Sequence, residues 1–468
     1  MTDEAAPIAE EWANEEPPVQ LIVGADGTLV RRSAQSRSVR SVRSAFQSVF
    51  LPQGFPDSVS RDYVEYQIWD SMQALCSYST NTISVKAMLK GMGVGDDSAT
   101  ASAALVTWLM KDGCGMIGRI VFAWAQGNDL DNNSKQWRLV ADAADDGARI
   151  LSLLAPAFPQ YFRATMCLVQ LMYAVVGVAG GATRNAVTQH QSRMNNSGDV
   201  SAKDGSQETM VTLVGLCIGM WATPRLDDRV ALTWCIMLIG SCLHIYCNYR
   251  AVRCLQFDTF NERRASIAME CALLESKTTA QQPCVVPTPA EMAQLEPIFS
   301  WSVQWPVCIG KQISDLAVSA TDAKLLIAAA PKDAKHLIGV QHGKIVVCLR
   351  RGVLENDILL ARFQAEILRQ ILLHSAPGPV VATKKLCGDL QAILQQHSAA
   401  FARANGSLGA KTLAAVLPLI ARWSQRQFRT WEAQCLARGW RTDRLQLSDS
   451  GWRATWGDDI ASEKSKSS

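Results

Sequence analysis

The sequence predicts a mainly α-helical protein, with an N-terminal helical bundle embedded in a membrane and a small C-terminal α+β domain. Three observations carry this prediction: long uncharged apolar segments before residue 250, a Pro- and Thr-rich stretch near residue 280, and short strand-like runs alternating with helices beyond it. The length of 468 residues allows two or three domains with a large buried core.

The composition of the two ends and of the middle stretch sets the expected domain limits. Residues 1–30 are acidic and residues 31–44 are rich in Arg and Ser, which is typical of a disordered arm and not of a secretory signal. The expected location is therefore an intracellular membrane, with the compartment undefined. We expect a disordered arm over 1–44, the helical domain over 45–275, a linker over 276–295, the α+β domain over 296–456 and a disordered tail over 457–468.

Charge and motif content exclude several classes of function. The chain has 46 basic and 43 acidic residues, so its net charge of +3 predicts no general attraction to nucleic acid. Its 14 cysteines form no CxxC pair and no Cys/His array of zinc spacing, so we predict no metal centre and no cofactor. No P-loop, GxSxG or HExxH motif is present, and we expect no catalytic residues and no enzymatic activity.

Three helices are expected before residue 160. Two prolines and a glycine keep residues 51–57 out of a helix, and the helix that follows ends at the glycines beginning with Gly91. An Ala-rich helix starts near Ser98 and is interrupted by glycines between 113 and 118. The third helix is expected over 136–155.

The third helix carries an acidic cluster with two interpretations. Asp142 and Asp146 are four residues apart, so with Asp145 they could share a hard cation such as Mg²⁺. Arg138 and Arg149 lie within three or four residues of these acids, which favours an arginine-paired acidic face over a metal site. Asp142 and Asp146 remain candidate functional residues.

Three apolar segments support the membrane prediction. Thr165–Ala182 is 18 residues long and uncharged, Val230–Cys247 is of the same length with one histidine, and Thr209–Thr223 is shorter but extendable. Eighteen residues meet the lower limit for crossing a bilayer. A buried helical core can be equally apolar, so a soluble helical domain stays open as the alternative.

Four glycines predict close contact between these segments. Gly177 and Gly181, and again Gly215 and Gly219, have the GxxxG spacing that lets helix backbones approach where dispersion drives packing. We therefore expect both pairs to form helix–helix seams.

Charged residues inside the bundle are candidate functional groups. Lys111, Asp112 and Arg119 lie on the second expected helix, and a charge held inside a membrane usually faces a partner or a wet cavity. Lys111 could pair with an acid of the third helix, or Asp112 with Arg119. The alternative is an amphipathic helix that leans on the bundle.

The polar stretch from residue 184 to 208 is expected to be a loop between two spans. One interpretation is a site for a ligand or partner, because loops on rigid scaffolds often carry function. The other is a simple connection between helices, with Asp204 and Gln207 resembling a capping box. The candidate residues are Arg184, His190, Asn195, Asn196, Asp199, Lys203 and Glu208.

Five motifs carry a family resemblance. They are LPxGFPxSVxxDYxxYQxWDxxQ at 51–73, WLxKDGxGxxGRIxFA at 108–123, GGATR at 180–184, DVSAKDGSQET at 199–209 and WRATW at 452–456. Together they resemble the root UVB-sensitive (RUS) family, strongly over about 48–275 and more loosely beyond. Asn185 and the long 374–410 region depart from the family pattern.

The resemblance implies pathway roles without a defined reaction. Plant members of the family are associated with seedling development, UV-B responses of the root and vitamin B6 homeostasis, and some act in pairs. The expected function is therefore that of a non-enzymatic, membrane-associated scaffold or transporter-like bundle, whose partners are membrane lipid and another copy or member of the family. The alternatives are a soluble helical protein that acts through a protein partner and a vitamin-B6-handling protein that uses Lys203 or Lys111.

Overall fold

The computed structural model describes residues 9–11, 19–23, 28–33, 42–94, 100–226, 229–274, 285–299, 303–375, 385–402 and 406–457. Within them the chain forms fifteen α-helices and nine short strands. The predicted class is confirmed: a helical N-terminal region with apolar candidate spans precedes a smaller region that contains strands.

Seven helices account for the N-terminal region. They are α1 Val42–Phe50, α2 Tyr63–Gly91, α3 Ala101–Leu130, α4 Ser134–Leu154, α5 Phe162–Gln191, α6 Ser197–Ala222 and α7 Val230–Cys254, with short 3₁₀ turns at Ala155–Ala157, Pro159–Tyr161 and Thr223–Leu226. Helix α3 is continuous through Gly113, Gly115 and Gly118, so the predicted interruption is wrong. Each glycine costs a helix only about 1 kcal/mol, so glycines weaken a helix without ending it.

The N-terminal arm and the linker differ from expectation. Strands β1 Ala9–Glu11, β2 Val19–Val23 and β3 Leu29–Ser33 form an antiparallel sheet where a disordered arm was expected, because the Val and Ile residues at 19–23 have high β propensity. In the linker, residues 275–284 lie outside the described residues. Helix α9, Pro289–Leu295, buries Met292 and Ala293. The predicted tail lies outside the described residues from residue 458 on.

The C-terminal region is built on two small sheets and one central helix. Its further elements are β4 Thr259–Asn261, α8 Glu262–Leu273, β5 Val307–Ile309, α10 Ile313–Leu316, α11 Ala320–Ala329, β6 His336–Gln341, β7 Lys344–Arg350, α12 Glu355–Ser375, α13 Gly388–Gln396, α14 Ser398–Ala402, α15 Ala410–Ala437, β8 Arg441–Gln446 and β9 Arg453–Ala454. Strand β7 lies between β5 and β6 and also pairs with β9, which contains part of the WRATW motif, while β4 pairs with β8.

The chain divides into two compact units. One unit comprises residues 1–117, 141–177 and 184–252, and the other comprises 118–140, 178–183 and 253–468. The second unit has a large apolar core centred on α12. Helix α8, which the sequence placed with the bundle, contributes Ala268 and Met269 to that core.

The apolar segments of the first unit have the opposite character. Three segments are long and apolar enough to cross a membrane: Pro159–Gln191, Ser197–Leu226 and Val230–Cys254. Only 22%, 17% and 22% of their most apolar windows are buried inside the protein. Most of their Leu, Ile, Met and Trp side chains therefore face outward.

Candidate functional site

Small residues bring α2 close to α6 and α7. A Cβ atom added at Gly215 of α6 would lie 2.8 Å from Cβ of Tyr78, and Gly219 lies against Thr82 in the same way. Gly240 of α7 contacts Thr80 from another side. These glycines admit α2 at a distance that a larger residue would prevent.

The seam predicted at the other glycine pair is corrected. Nothing lies within 4 Å of a Cβ atom added at Gly177 or Gly181 of α5. The GxxxG spacing is identical in the two helices, but only α6 turns its glycines toward another helix. Gly240, which has no GxxxG partner, was missed by the sequence pattern.

An arginine at the centre of the first unit joins α2 to α4. Arg149 is 2% exposed, and its Nη1 donates to Oγ1 of Thr80 over 3.0 Å and to Oδ1 of Asp146 over 3.2 Å. Its Nη2 donates to Ser77 and Asp145. The arginine-paired interpretation of the acidic cluster is therefore the one that the structure supports.

A histidine extends this network to α7. Nδ1 of His244 lies 2.8 Å from Oδ2 of Asp146, and its Nε2 lies 2.7 Å from Nε2 of Gln73, which also donates to Asp142 over 3.1 Å. Because the Gln73 nitrogen can only donate, the His244 proton resides on Nδ1 and Nε2 accepts. We call Gln73, Ser77, Thr80, Asp142, Asp145, Asp146, Arg149 and His244 the central network.

The central network forms a continuous hydrogen-bonded path. It runs from Asp142 through Gln73 to His244, and from there through Asp146 to Arg149. The buried polar side chains of this path are therefore candidate functional groups of the first unit.

A second set of ion pairs joins α5 to α6. Arg184 donates through Nε to Asp204 over 2.6 Å and through Nη1 to Glu208 over 2.5 Å. Helix α2 adds the amide of Gln67, which donates to Asp204 over 3.3 Å, and the hydroxyl of Tyr78, which donates to Glu208 over 3.2 Å. Arg184 and Glu208 are thus paired with each other, although each side chain is 39% exposed.

The predicted loop is mostly helix, which corrects the sequence interpretation. Helix α5 continues to Gln191 and α6 begins at Ser197, so only residues 192–196 connect them. Asn195 lies in this turn with a φ of 55°, a value that asparagine tolerates better than most residues. Asp204 is inside α6 and caps nothing, since its carboxylate pairs with Arg184.

The other candidate residues of this stretch hold the segment that precedes α2. Ser60 and Gln191 share a backbone hydrogen bond, so the LPxGFPxSV motif runs beside the α5–α6 turn. Asn196 Nδ2 donates to the Ser58 carbonyl over 3.1 Å, and Lys203 Nζ donates to the Ser48 carbonyl over 2.5 Å. The Asp199 carboxylate accepts from the backbone N–H of Gln53 over 2.7 Å.

His190 and Asp62 form a buried pair in the same place. Nε2 of His190 lies 2.9 Å from Oδ2 of Asp62, and the Ser60 hydroxyl donates to the other carboxylate oxygen. A catalytic triad needs the serine on the histidine and the carboxylate behind it. Here the serine donates to the carboxylate, so this arrangement does not activate a nucleophile and instead fixes the start of α2.

The charges of α3 pair locally. Nζ of Lys111 lies 3.2 Å from Asp112, 3.5 Å from Oε1 of Gln170 and 4.3 Å from the centre of the Trp108 ring. Neither pair suggested by the sequence forms, since the partner of Lys111 is its neighbour Asp112 and Arg119 is exposed. Gly115 packs against Gln170, which places one narrow face of α3 on α5.

Among the described residues, no group of three or more His, Cys, Asp or Glu side chains is arranged to hold a metal ion. The absence of a metal and of a cofactor stays a prediction. In the central network Arg149 pairs with Asp145 and Asp146, and His244 forms a hydrogen bond with Asp146.

Sequence patterns missed part of the central network. Gln73, Ser77 and Thr80 are spaced three or four residues apart on α2 and look like ordinary polar positions of a helix. His244 carried a usable signal, because it is the one histidine in an otherwise apolar 18-residue segment, and ionisable groups in such segments are functional candidates.

These features define a class of protein: a helical bundle with outward apolar faces, a buried ion-pair network and a C-terminal α+β domain. Two family profiles match the chain: "Vitamin B6 photo-protection and homoeostasis domain" over residues 36–276 and "Root UVB sensitive protein, C-terminal" over residues 285–456. The chain therefore belongs to the root UVB-sensitive (RUS) family, as its motifs predicted.

Curated relatives agree with this assignment. The chain is 42% identical over 271 residues to RUS family member 1 of Dictyostelium discoideum, covering 57% of this chain and 50% of that protein. It is 31% identical over 465 residues to Protein root UVB sensitive 3 of Arabidopsis thaliana, covering 96% and 94%. The chain thus spans about half of the first relative and nearly all of the second. No solved structure matches the chain.

Proposed function

We propose that this RUS family protein is an integral membrane protein without enzymatic activity, and that the central network forms the polar interior of a transporter-like bundle. Membrane lipid surrounds the bundle, and a second copy or another family member is its proposed partner. The proposal rests on one observation: the first unit buries charged side chains inside and exposes apolar ones outside.

This distribution suits a bilayer better than water. Leu238, Ile239, Met220 and Trp221 are each at least half exposed, although they lie on helices long enough to span a membrane. Each buried apolar side chain gains roughly 1.5–3 kcal/mol over an exposed one in water, so such exposure in water would forfeit a large stabilisation. In lipid these side chains meet an apolar solvent and cost nothing.

The central network favours a transporter-like role over a purely structural scaffold. A scaffold needs only packed helices, and an isolated buried ion pair contributes little net stability compared with apolar packing. The Gln73, His244 and Asp146 side chains offer instead a set of hydrogen-bonding groups that can hold a polar ligand. We expect water to reach it in at least one conformation.

Membrane integration is the first test. Cells that express the full chain are fractionated, and the pellet is extracted with alkaline carbonate and then with detergent. Release by detergent alone supports the embedded bundle. Release by carbonate, or a cytosolic protein, overturns it and favours the alternative of a soluble protein that acts through a partner.

Water access to the network separates the transporter-like and scaffold roles. In a cysteine-depleted background, Ser77→Cys places a thiol beside Arg149, and Met237→Cys places one in the apolar core as a matched control. A small charged methanethiosulfonate reagent is expected to modify the first thiol and spare the second. An unreactive thiol at position 77 would indicate a dry, structural core.

The family profile favours one second candidate, the handling of vitamin B6. Lys203 and Lys111 are the lysines proposed for it, and each already has an internal contact. If Lys203 forms a Schiff base, pyridoxal phosphate gives an absorbance change and an adduct that borohydride reduces, and Lys203→Ala abolishes both. The absence of an adduct on the intact chain would remove this candidate.

A further inference from the structure

An arginine near the end of α7 rests on an aromatic pair that lies outside the central network. Cζ of Arg250 lies over the Trp69 ring, 4.5 Å from its centre, and Nη1 donates to the Tyr246 hydroxyl over 3.2 Å. The Trp69 and Tyr246 rings meet edge to face, with their centres 6.0 Å apart. Stacking on an indole ring and a hydrogen bond to a phenol hold a guanidinium in one orientation. Arg250 is therefore positioned by side chains of α2 and α7.

Arg250 differs from the other arginines of the bundle in having no acidic partner. Arg149 and Arg184 each pair with two carboxylates. Among the residues that the structure describes, no carboxylate lies within ion-pair distance of Arg250, and the Tyr246 hydroxyl is its hydrogen-bond acceptor. Most of the guanidinium donors are thus unused. The half-buried cation is available to an anion.

Arg250 also lies at the edge of the outward apolar surface of α7. The last exposed aliphatic side chain of this helix is Leu243, and Tyr246 and Tyr249, which are 49% and 45% exposed, follow it. Arg250 is about 10 Å along the helix axis from Leu243, at about 1.5 Å per residue. Tyrosine and tryptophan are enriched where a membrane helix leaves the hydrocarbon layer. In the proposed bundle Arg250 is therefore at the level of the lipid headgroups.

We propose that Arg250 and Tyr246 bind the phosphate group of an anionic phospholipid, an inference that rests on the membrane placement proposed above. Guanidinium donors match phosphate oxygens in geometry and charge. The Tyr246 hydroxyl accepts from Arg250, so its own proton is free to donate to the same phosphate. A lipid fits better than a soluble phosphate, because its acyl chains would contact the outward Leu238, Ile239 and Leu243. An anionic lipid fits better than a zwitterionic one, whose ammonium group would be repelled by the guanidinium.

Native mass spectrometry of the full chain in a mild detergent measures this binding. The probes are phosphatidylglycerol and phosphatidylcholine with the same acyl chains, and we expect the wild type to bind phosphatidylglycerol more tightly. Arg250→Gln should weaken that binding about tenfold, as expected for the loss of a hydrogen bond to a charged group, and should remove the preference. Arg225→Gln is the matched control, because Arg225 also lies over a tryptophan ring, that of Trp221, but is exposed and donates to a carbonyl of its own helix. It should bind as the wild type does.

A second pair of variants leaves Arg250 in place. Tyr246→Phe keeps the ring and removes the hydroxyl, so it should weaken phosphatidylglycerol binding by a smaller factor, and Tyr249→Phe should not change it.

Three results would overturn the lipid site: equal binding of the two lipids to the wild type, equal effects of Arg250→Gln and Arg225→Gln, or displacement of phosphatidylglycerol by inorganic phosphate. If the wild type still resists carbonate extraction, only this inference fails. A carbonate-soluble wild type would remove the membrane placement and the lipid site together.

Discussion

Helix α12 of the C-terminal domain and helix α7 of the N-terminal bundle are both long and rich in apolar residues, but they place those residues oppositely. Helix α12 buries thirteen of its residues, including Phe363 and Leu368. Helix α7 buries seven, of which His244, Asn248 and Ser241 are polar, while Leu238 and Ile239 face outward. The outward apolar side chains of α7 are those that the proposed membrane placement requires.

Both regions also bury charge, and here they agree. Glu366 of α12 is fully buried between Arg362, at 2.8 Å, and Arg369, at 2.7 Å, much as Asp146 lies between Arg149 and His244. A buried charge requires a partner in either solvent. The difference between the regions therefore lies in where their apolar side chains point, and the following changes test it.

The largest effect is expected at Arg149. Arg149→Met removes the cation that pairs with buried Asp146 and half-buried Asp145, which should destabilise the bundle by about 3–5 kcal/mol. Thermal unfolding of the purified protein in detergent measures this. Arg225→Met, an exposed arginine that rests on Trp221, is the control and should change little. Equal stability of the two variants would show that the central network is not a closed ion-pair cluster.

The corresponding test in the C-terminal domain measures how stability depends on pH. Burial alone would raise the pKa of Glu366, but Arg362 and Arg369 lower it to about 2 from its usual 4.5. A carboxyl group with a lowered folded-state pKa stabilises the protein above about pH 4.5, and this contribution, about 3 kcal/mol, is lost as pH falls toward 2.

Glu366→Gln should therefore remove the pH dependence of stability from this region. Hydrogen exchange of α12 peptides in the full chain, corrected for intrinsic rates, measures it between pH 5 and about 2. The control is Glu355→Gln, an exposed acid at the start of the same helix. A wild-type α12 whose protection does not fall on acidification would contradict the assignment.

The glycines give a smaller effect that distinguishes two helices of the bundle. Gly215→Leu forces α6 away from Tyr78 and should cost about 1–3 kcal/mol through overpacking. Gly177→Leu changes the corresponding first glycine of the GxxxG pair on α5 but meets open space, so it should be tolerated. The yield of monodisperse protein after detergent extraction, with its unfolding temperature, compares them. A reversed order would place the seam on α5.

The smallest effect is expected at Tyr78. Tyr78→Phe removes the hydrogen bond to Glu208 and should cost about 1 kcal/mol. Tyr249→Phe, on the exposed side of α7, is the matched control. If both variants unfold at the wild-type temperature, the bond between α2 and α6 contributes nothing measurable.

Local patterns predicted the helices and the family, because the length of the uncharged segments and the residues of the motifs can be determined from the sequence alone. They did not predict which helices meet. The 184–208 stretch illustrates this: its Asn, Gly and Asp residues favour turns, yet Arg184 pairs with Asp204 and Glu208 across two helices, and these tertiary contacts override local propensity.

The sequence predicted about half of the candidate site. Asp142, Asp146 and Arg149 could be paired by their spacing along one helix, which is visible in sequence. The contacts of His244 with Asp146 and of His190 with Asp62 join residues 98 and 128 positions apart, so no spacing rule reaches them. The identical glycine spacing in α5 and α6 likewise does not reveal which helix has a neighbour.

The most direct measurement compares two leucines, each at least half exposed, on helices of the two regions. Leu238→Lys on α7 and Leu436→Lys on α15 change residues that are 50% and 55% exposed. In the embedded bundle the first lysine faces lipid at a cost of about 3 kcal/mol, so less protein should resist carbonate extraction, whereas the second should leave that fraction unchanged. Equal retention of both variants would contradict the membrane placement of the bundle.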